Sequence, residues 1–228
     1  MPMENNGGNG NLSNILQEDY EGLRMHFLEG DSDKPTVVYA KGLSYPSHAF
    51  QWMHMFNACG MGAVFAPYRG SWGSEGSFLS EAGDVLSPEQ DVADMVAFAD
   101  LLNPDSYVII AGNCFGASPA LVAGAQDDSV SKIMTWGGMI YSDDVSSNIR
   151  YSTLTYESQP GIDHLVDKCI DLGRNLKDGG IEGEEYFDTY NGFSHDVWEK
   201  MINGGTSLNP YRHLSELADK DVLLFAPK

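Results

Sequence analysis

The stretch Ser106-Tyr-Val-Ile-Ile-Ala-Gly-Asn-Cys-Phe-Gly-Ala-Ser-Pro-Ala-Leu-Val-Ala-Gly-Ala125 decides the fold of this chain. Its apolar run to Ala111 predicts a buried β-strand, and its small residues from Ala117 onward predict a helix that packs closely on that strand. Between the two lies Gly112-Asn-Cys-Phe-Gly116, in which glycines flank the bend because a Cβ would obstruct both its dihedral angles and the close approach of helix and strand. The stretch therefore predicts a strand, a sharp turn and a helix, with Cys114 at the turn.

A strand and a helix joined by a G-x-C-x-G turn match the pattern of a nucleophile elbow, which lifts one reactive side chain above the sheet. Here that side chain is the thiol of Cys114, and the backbone N–H groups and positive dipole end of the following helix favour its thiolate form. The pattern leads to the hypothesis of a cysteine nucleophile for acyl transfer. The alternative is a small buried cysteine that merely fills a tight turn.

The composition excludes several classes of protein. A chain of 228 residues, 42% hydrophobic, fits one globular domain. Its net charge of −20 argues against nucleic acid and anionic membranes as partners, and we interpret it as a solvated acidic surface, with a salt-rich cytoplasm as the alternative. The cysteines Cys59, Cys114 and Cys169 are too few and too scattered for a disulfide scaffold or a zinc site. The few scattered cysteines suggest a reducing compartment, and the sequence shows no secretory signal and no apolar run of ~18 residues, so we expect a cytoplasmic protein. We also expect no metal or cofactor.

Apolar runs alternate with amphipathic segments, which predicts a mostly parallel sheet with helices on both faces. Residues 1–14 are predicted to be disordered, 15–141 to form the first part of the core, 142–207 a helical cap, and 208–228 the last helix and strand of the core. The predicted strands are 22–28, 36–40, 63–66, 106–111, 131–136 and 221–226, and the predicted helices begin at Ser47, Pro88, Ala117 and Asn209. Ser87 is expected to cap the second helix, whose buried face should hold Val92, Met95, Val96, Ala99 and Leu102.

From about residue 20 to its end the chain resembles the α/β-hydrolase superfamily. Tyr39-Ala-Lys-Gly-Leu43 lies where that family has its oxyanion strand and a His-Gly-like turn, with Lys41 in the place of the histidine. Tyr68-Arg-Gly-Ser-Trp-Gly-Ser-Glu-Gly76 looks like the Arg-Gly-x-Gly-x-Ser-x-Gly loop of the prolyl-oligopeptidase and esterase-like branches. The segment 209–217, followed by a Val-Leu-Leu strand, resembles the one before the family's acid-bearing strand. A cysteine at the elbow is similar to dienelactone hydrolases and to some thioesterases and acyltransferases.

The resemblance implies roles for particular residues. Cys114 would be the nucleophile, and the backbone N–H groups of Phe115 and Leu43 would donate hydrogen bonds to the oxyanion. Further residues that the resemblance implies for substrate binding are Gly42, Arg69, Trp72, Asn113 and His48.

The acid and the histidine of the family's triad have no counterpart at their usual positions. In the family the acid follows the strand that corresponds to 222–226 and the histidine follows one strand later, whereas the sequence ends at Lys228. The expected fold is therefore an α/β-hydrolase fold with its last strand and helix missing and a helical cap inserted. Asp143 and Asp144 follow the strand after the elbow, which is an alternative acid position in some relatives; the other interpretation is a solvated acidic turn. His26 is expected to pack in the core, and no histidine stands out as the base among His26, His48, His54, His164, His195 and His213.

Two interpretations of the missing triad residues stay open. Either the chain is a truncated hydrolase, or it is complete and works with a depleted site, since a thiolate of low pKa can attack without a base. We expect a hydrolase that acts on an ester or thioester of a small molecule through an acyl-Cys114 intermediate. The alternatives are a catalytically depleted relative that binds a ligand or a partner protein, and an acyltransferase or cyclase of a biosynthetic pathway. A sheet that lacks its last strand exposes an edge, which motivates the hypothesis of a homodimer paired through that edge.

Overall fold

The computed structural model describes residues 14–42, 47–71, 73–76, 87–138 and 208–225. The predicted helical cap over 142–207, with the candidate acids Asp143 and Asp144, lies outside these ranges. The candidate site residues Leu43 and Trp72 also lie outside them. The described ranges contain the elbow and the strands on both sides of it.

Seven strands form one sheet in the described part of the chain: β1 (Leu16–Tyr20), β2 (Leu23–Leu28), β3 (Thr36–Ala40), β4 (Gly62–Phe65), β5 (Val108–Asn113), β6 (Val130–Trp136) and β7 (Asp221–Phe225). Their spatial order is β1-β2-β4-β3-β5-β6-β7. The strands from β4 to β7 in this order pair in parallel, whereas β2 is antiparallel to both of its neighbours. β3 and β5 read as continuous apolar runs because both faces of a central parallel strand are covered.

Helices cover both faces of the sheet: α1 (Ser47–Asn57), α2 (Pro88–Leu102), α3 (Ala117–Gln126) and the short α4 (Leu214–Leu217). Alternate residues of β3 point to opposite faces, so Val38 and Ala40 pack in a core cluster with α2 and α3, while Val37 and Tyr39 pack in a second cluster with α1. Within the described ranges, no helix is both long and apolar enough to span a bilayer. The layered arrangement confirms the predicted fold class of a mostly parallel sheet flanked by helices.

The antiparallel start of the sheet is not evident from the sequence. β1 is exposed along most of its length, so its residues lack the alternation of apolar and polar side chains that marks a half-buried strand. A two-residue turn joins β1 to β2, with φ values of 49° at Glu21 and 78° at Gly22, as tight hairpins with positive φ at both turn positions require. β1 is therefore defined by its pairing with β2 rather than by burial.

Two details of α2 differ from the prediction. Pro88 occupies the first turn as expected, but the Ser87 hydroxyl makes no capping hydrogen bond. Leu102 is 37% exposed rather than buried, whereas Phe98, one turn earlier, is buried and packs against Phe27 with ring centroids 5.4 Å apart. The residues of the predicted face that are buried are Val92, Met95, Val96 and Ala99.

β7 is the outermost strand of the described sheet on the side of β6. Its residues Leu223, Leu224 and Phe225 are each about half exposed. These apolar side chains flank the edge that a second copy of the chain would pair with. The homodimer through this edge stays a prediction.

His26 on β2 packs in the interior, as the sequence predicts. Its ring lies 5.0 Å from that of Phe50 and 5.8 Å from that of Phe65, and only 6% of the residue is exposed. Burial, with a smaller contribution from the charge of Arg24, lowers the pKa of His26 from 6.5 to about 4. The imidazole is therefore neutral in the folded protein at pH 7 and acts as part of the aromatic core.

We predict that His26→Phe flattens the pH dependence of stability. Between pH 6.5 and about 4 the unfolded chain binds a proton at His26 and the folded protein does not, so the free energy of unfolding falls as the pH is lowered through this window. His26 accounts for a fall of about 2 kcal/mol in the free energy of unfolding between roughly pH 7 and 4.5, and urea titrations at the two pH values measure this fall. His48→Phe, at an exposed histidine, is the control, and its free energy of unfolding should fall between the two pH values by as much as that of the wild type. A loss in His26→Phe as large as in the wild type would contradict the prediction.

Candidate active site

Cys114 lies at the tip of the turn between β5 and α3. Its φ is 52°, in the left-handed region that residues other than glycine rarely adopt. A 3₁₀ turn, Cys114–Gly116, connects the strand to α3, and Cys114 is half-buried. A strained backbone at a non-glycine residue is typical of functional sites, and here it is the geometry that the elbow pattern predicts.

Two glycines make the sharp turn possible because they lack a side chain. A Cβ built on Gly116 would lie 2.0 Å from the carbonyl oxygen of Ala40 on β3, and one built on Gly112 would lie 2.8 Å from the Cβ of Ala120 on α3. Both distances are shorter than van der Waals contact, so a larger residue would push α3 away from the sheet. The N-terminus of α3 is thus held against the carboxyl ends of β3 and β5.

The end of β3 and the elbow lie side by side. β3 and β5 are parallel with Ala40 opposite Gly112, so the turn after β3 continues beside the elbow. A Cβ built on Gly42 would lie 2.7 Å from the Cβ of Cys114 and 3.3 Å from its Sγ. The candidate site residues that the structure brings together are therefore Gly42, Asn113, Cys114 and Phe115.

A tyrosine ties this turn to the elbow. Tyr68 Oη donates a hydrogen bond to the carbonyl oxygen of Lys41 at 3.0 Å. The Tyr68 ring meets the fully buried ring of Phe115 edge-on, with centroids 5.4 Å apart. The Lys41–Gly42 peptide is thereby fixed relative to Cys114. Sequence reasoning missed Tyr68, because no local pattern marks a contact between residues so far apart in the chain.

Lys41 is buried at the end of β3, with 5% of the residue exposed. Burial lowers its pKa from 10.5 to about 7, and the negative charge of Cys114 opposes this shift. Lys41 is therefore partly neutral near pH 7, and its protonation is coupled to that of the thiol. In the sequence it stands out only because it occupies the place of the oxyanion-turn histidine of the superfamily that the chain resembles. A lysine that directly follows a fully apolar strand is the signal that could have identified it.

Aromatic residues lie beside the elbow on the side of α1. Asn113 Nδ2 donates a hydrogen bond to the carbonyl oxygen of Trp136, at the end of β6, at 3.2 Å. The Trp136 ring stacks on Tyr39 at 5.8 Å and lies 4.6 Å from the Trp52 ring of α1. Burial, and to a smaller extent the charge of Cys114, raises the pKa of Tyr39, so its phenol is neutral. These rings add apolar surface and no charge.

Arg69 is bound by carboxylates of α2. Its Nη1 and its backbone N–H both contact Asp91, the backbone group at 2.9 Å. Its Nη2 lies 2.6 Å from Asp94 and 2.8 Å from the carbonyl oxygen of Glu21. Burial raises the pKa of Asp91 to about 6, and Arg69 opposes this shift. Arg69 thus fixes the loop after β4 to α2 and to the β1–β2 turn, and a role in substrate binding stays a prediction.

The remaining candidate residues lie elsewhere or outside the described ranges. His48 is exposed in the first turn of α1, and His213 is half-buried in the 3₁₀ turn Pro210–His213. Leu43, the predicted second oxyanion donor, and Trp72 are not among the described residues. The described site consists of the elbow, the turn after β3 and Tyr68.

Comparison with known proteins shows the fold. No protein-family model matches the sequence, and no curated protein is similar to it. A thermostable carboxyl esterase from Bacillus coagulans aligns over 93% of this chain and 88% of its own, with a TM-score of 0.54 and 12% identity. A lipase in its open form aligns over 92% of this chain and 78% of its own, with a TM-score of 0.55 and 13% identity. DcsB, in complex with its substrate analogue, aligns over 93% and 88%, with a TM-score of 0.56 and 13% identity. The chain has the α/β-hydrolase fold.

We predict that Gly116→Ala lowers the free energy of unfolding by about 3 kcal/mol or more, because the new Cβ would meet a main-chain oxygen of β3 that cannot move aside. Gly22→Ala is the matched control. Its φ of 78° strains an alanine, but the nearest atom to the new Cβ is 3.8 Å away, so the cost should be only about 1 kcal/mol. Urea unfolding measures both, and equal losses would argue against close packing at the elbow.

We predict that Arg69→Met costs about 3 kcal/mol of stability at neutral pH, because it leaves the buried Asp91 carboxylate without its cation. Arg69 lowers the pKa of Asp91, so its loss raises that pKa above the wild-type value of about 6. The cost should therefore shrink as the pH falls toward 6 and level off below it, where Asp91 is protonated in both proteins. Arg24→Met removes an exposed ion pair with Asp19 and should cost less than about 1 kcal/mol. A cost of Arg69→Met that is the same at roughly pH 7.5 and 5 would show that the ion pair with Asp91 is not its source.

Proposed function

We propose that this protein is an α/β-type hydrolase that cleaves carboxylic esters or thioesters through Cys114. The observation that carries this proposal is the left-handed backbone of Cys114, which lies at the tip of the elbow beside Gly42. A cysteine that merely filled a turn would gain nothing from a strained conformation. The esterase and the lipase that share the fold support the reaction class.

In the proposed reaction the Cys114 thiolate attacks the carbonyl carbon of the substrate. A C–S bond forms and the π electrons of the carbonyl move to its oxygen, which accepts a hydrogen bond from the backbone N–H of Phe115, with Leu43 as the proposed second donor. The alcohol or thiol then leaves. Water finally releases the acid from the acyl-Cys114 thioester and restores the thiol.

The proposed substrate is a small uncharged acyl compound. The net charge of −20 disfavours polyanions. The half-buried Trp52 and Trp136 offer aromatic surface beside the elbow to an apolar acyl or leaving group. The proposed substrates include both esters and thioesters, because the cysteine at the elbow is similar to that of dienelactone hydrolases and of some thioesterases.

We predict that Cys114→Ala lowers kcat/KM for a short p-nitrophenyl ester by about 100-fold or more, because the attacking atom is lost. Cys59→Ala, at an exposed cysteine, is the matched control and should retain wild-type turnover. Mass spectrometry of the quenched reaction should show an acyl adduct on the wild type and on Cys59→Ala, and none on Cys114→Ala.

Two other outcomes would point elsewhere. Equal turnover by the wild type and Cys114→Ala would remove Cys114 from the mechanism. A stable acyl adduct on Cys114 without hydrolysis would favour the acyltransferase alternative, and an added alcohol or amine acceptor should then restore turnover.

A further inference from the structure

We infer that Lys41 is the base of this site: its side-chain amine takes the proton from the Cys114 thiol and returns it to the leaving group. The inference rests on the proposed role of Cys114 as the nucleophile. It assigns to Lys41 the proton transfers of the proposed reaction. Three observations at the end of β3 carry it.

The first observation is the position of Lys41 in the fold. Lys41 follows Ala40, which lies opposite Gly112 in the parallel register of β3 and β5. It precedes Gly42, where a built Cβ would lie 3.3 Å from the Sγ of Cys114. The Tyr68 hydroxyl donates a hydrogen bond to the Lys41 carbonyl oxygen. The backbone of Lys41 is thereby fixed beside the elbow.

The second observation is the burial of Lys41. Only 5% of the residue is exposed, so its amine is largely withdrawn from bulk water. A lysine is rarely buried unless an anion accompanies it or it gives up its proton. Burial lowers its pKa to about 7, and the charge of Cys114 favours its protonated form. An amine that titrates near neutral pH beside this thiol is suited to take up its proton.

The third observation concerns the other titratable groups at the same place. Burial raises the pKa of Tyr39, so its phenol keeps its proton. Tyr68 uses its hydroxyl to donate to Lys41. The two segments that meet at the thiol, 39–42 and 113–115, contain no histidine and no carboxylate. Within these segments Lys41 is the group that can accept a proton at neutral pH.

The proton transfers balance over one turnover. Nζ of neutral Lys41 takes the thiol proton as Sγ bonds to the carbonyl carbon, and the same proton passes to the departing alkoxide or thiolate when the tetrahedral intermediate collapses. In the second half, Nζ takes a proton from water while the water oxygen bonds to the acyl carbon. The C–S bond then breaks, the carboxylic acid leaves, and the Cys114 thiolate recovers the proton from Nζ.

Alkylation tests the pairing without any ester. In a background with Cys59→Ser and Cys169→Ser, Cys114 is the remaining cysteine, and the pH profile of its reaction with iodoacetamide, followed by intact-mass spectrometry, reports its thiolate. Lys41→Met should move the midpoint of this profile upward by about one pH unit or more, because the thiolate loses its cation. Lys41→Arg keeps the cation and should keep the midpoint at or below that of the wild type. Lys34→Met, at an exposed lysine just before β3, is the matched control and should leave the profile unchanged.

Ester hydrolysis distinguishes a Lys41 that only supplies positive charge from a Lys41 that also accepts a proton. Arginine holds its proton at every accessible pH, so Lys41→Arg should lower kcat/KM by about 100-fold although its alkylation profile stays like that of the wild type. Lys41→Met should lose at least as much turnover. Circular dichroism and thermal unfolding establish that the variants are folded.

The outcomes distinguish this inference from the proposed function. If the alkylation profile of Lys41→Met coincides with that of the wild type, the pairing of the Lys41 amine with the Cys114 thiol is overturned. The role of Lys41 as base is overturned if folded Lys41→Arg retains the wild-type kcat/KM. If the arginine variant does not fold, a wild-type kcat/KM in Lys41→Met overturns it instead. If the wild type hydrolyses no ester or thioester while the Lys41→Met profile still shifts, the proposed hydrolysis fails and the proton exchange between Lys41 and Cys114 is supported.

Discussion

The rest of the structure depends on the close contact between the backbone at Gly116 and the carbonyl oxygen of Ala40. With a built Cβ only 2.0 Å from that oxygen, the two chain segments touch through their main chains. Main-chain contact is stiffer than contact between side chains, which can change rotamer. It fixes how α3 begins relative to the end of β3, and the strained φ of Cys114 is sustained by this packing on both sides of the turn.

Arg69 and Lys41 show how differently the fold can surround a cation. Arg69 is matched by two carboxylates of α2, and its five N–H donors suit that arrangement. Lys41 lies at the end of an apolar strand, and burial lowers its pKa to about 7. A fixed ion pair stabilises a loop, whereas an amine close to its titration point is suited to move a proton. The difference in environment, rather than the charge itself, underlies the anchoring role of Arg69 and the proposed reactivity of Lys41.

The sequence reveals the parts of the fold that burial dictates. The strand Thr36–Ala40 has the predicted limits because a continuous apolar run is typical of a strand that is covered on both faces. The elbow can be predicted because a side chain at its glycines would clash with the neighbouring strand and helix. β1 is missed because an exposed strand carries no burial pattern. In the site, Cys114 and its neighbour Gly42 follow from the elbow pattern and the family resemblance. The hydrogen bond from Tyr68 and the carboxylates around Arg69 could not be predicted, because they join segments that only the folded chain brings together.

A lysine base suits a thiol nucleophile better than it would suit a hydroxyl. An ordinary cysteine thiol has a pKa of about 8.5, so transfer of its proton to an amine of pKa about 7 costs roughly 2 kcal/mol before any stabilisation of the ion pair. The positive end of α3 and the attraction between thiolate and ammonium both act to reduce that cost. A serine hydroxyl loses its proton far less readily, and for it the oriented histidine and acid of the usual triad matter much more. In the proposed mechanism the sulfur at position 114 and the amine at position 41 are therefore matched, because a weak base can serve a nucleophile that is already acidic.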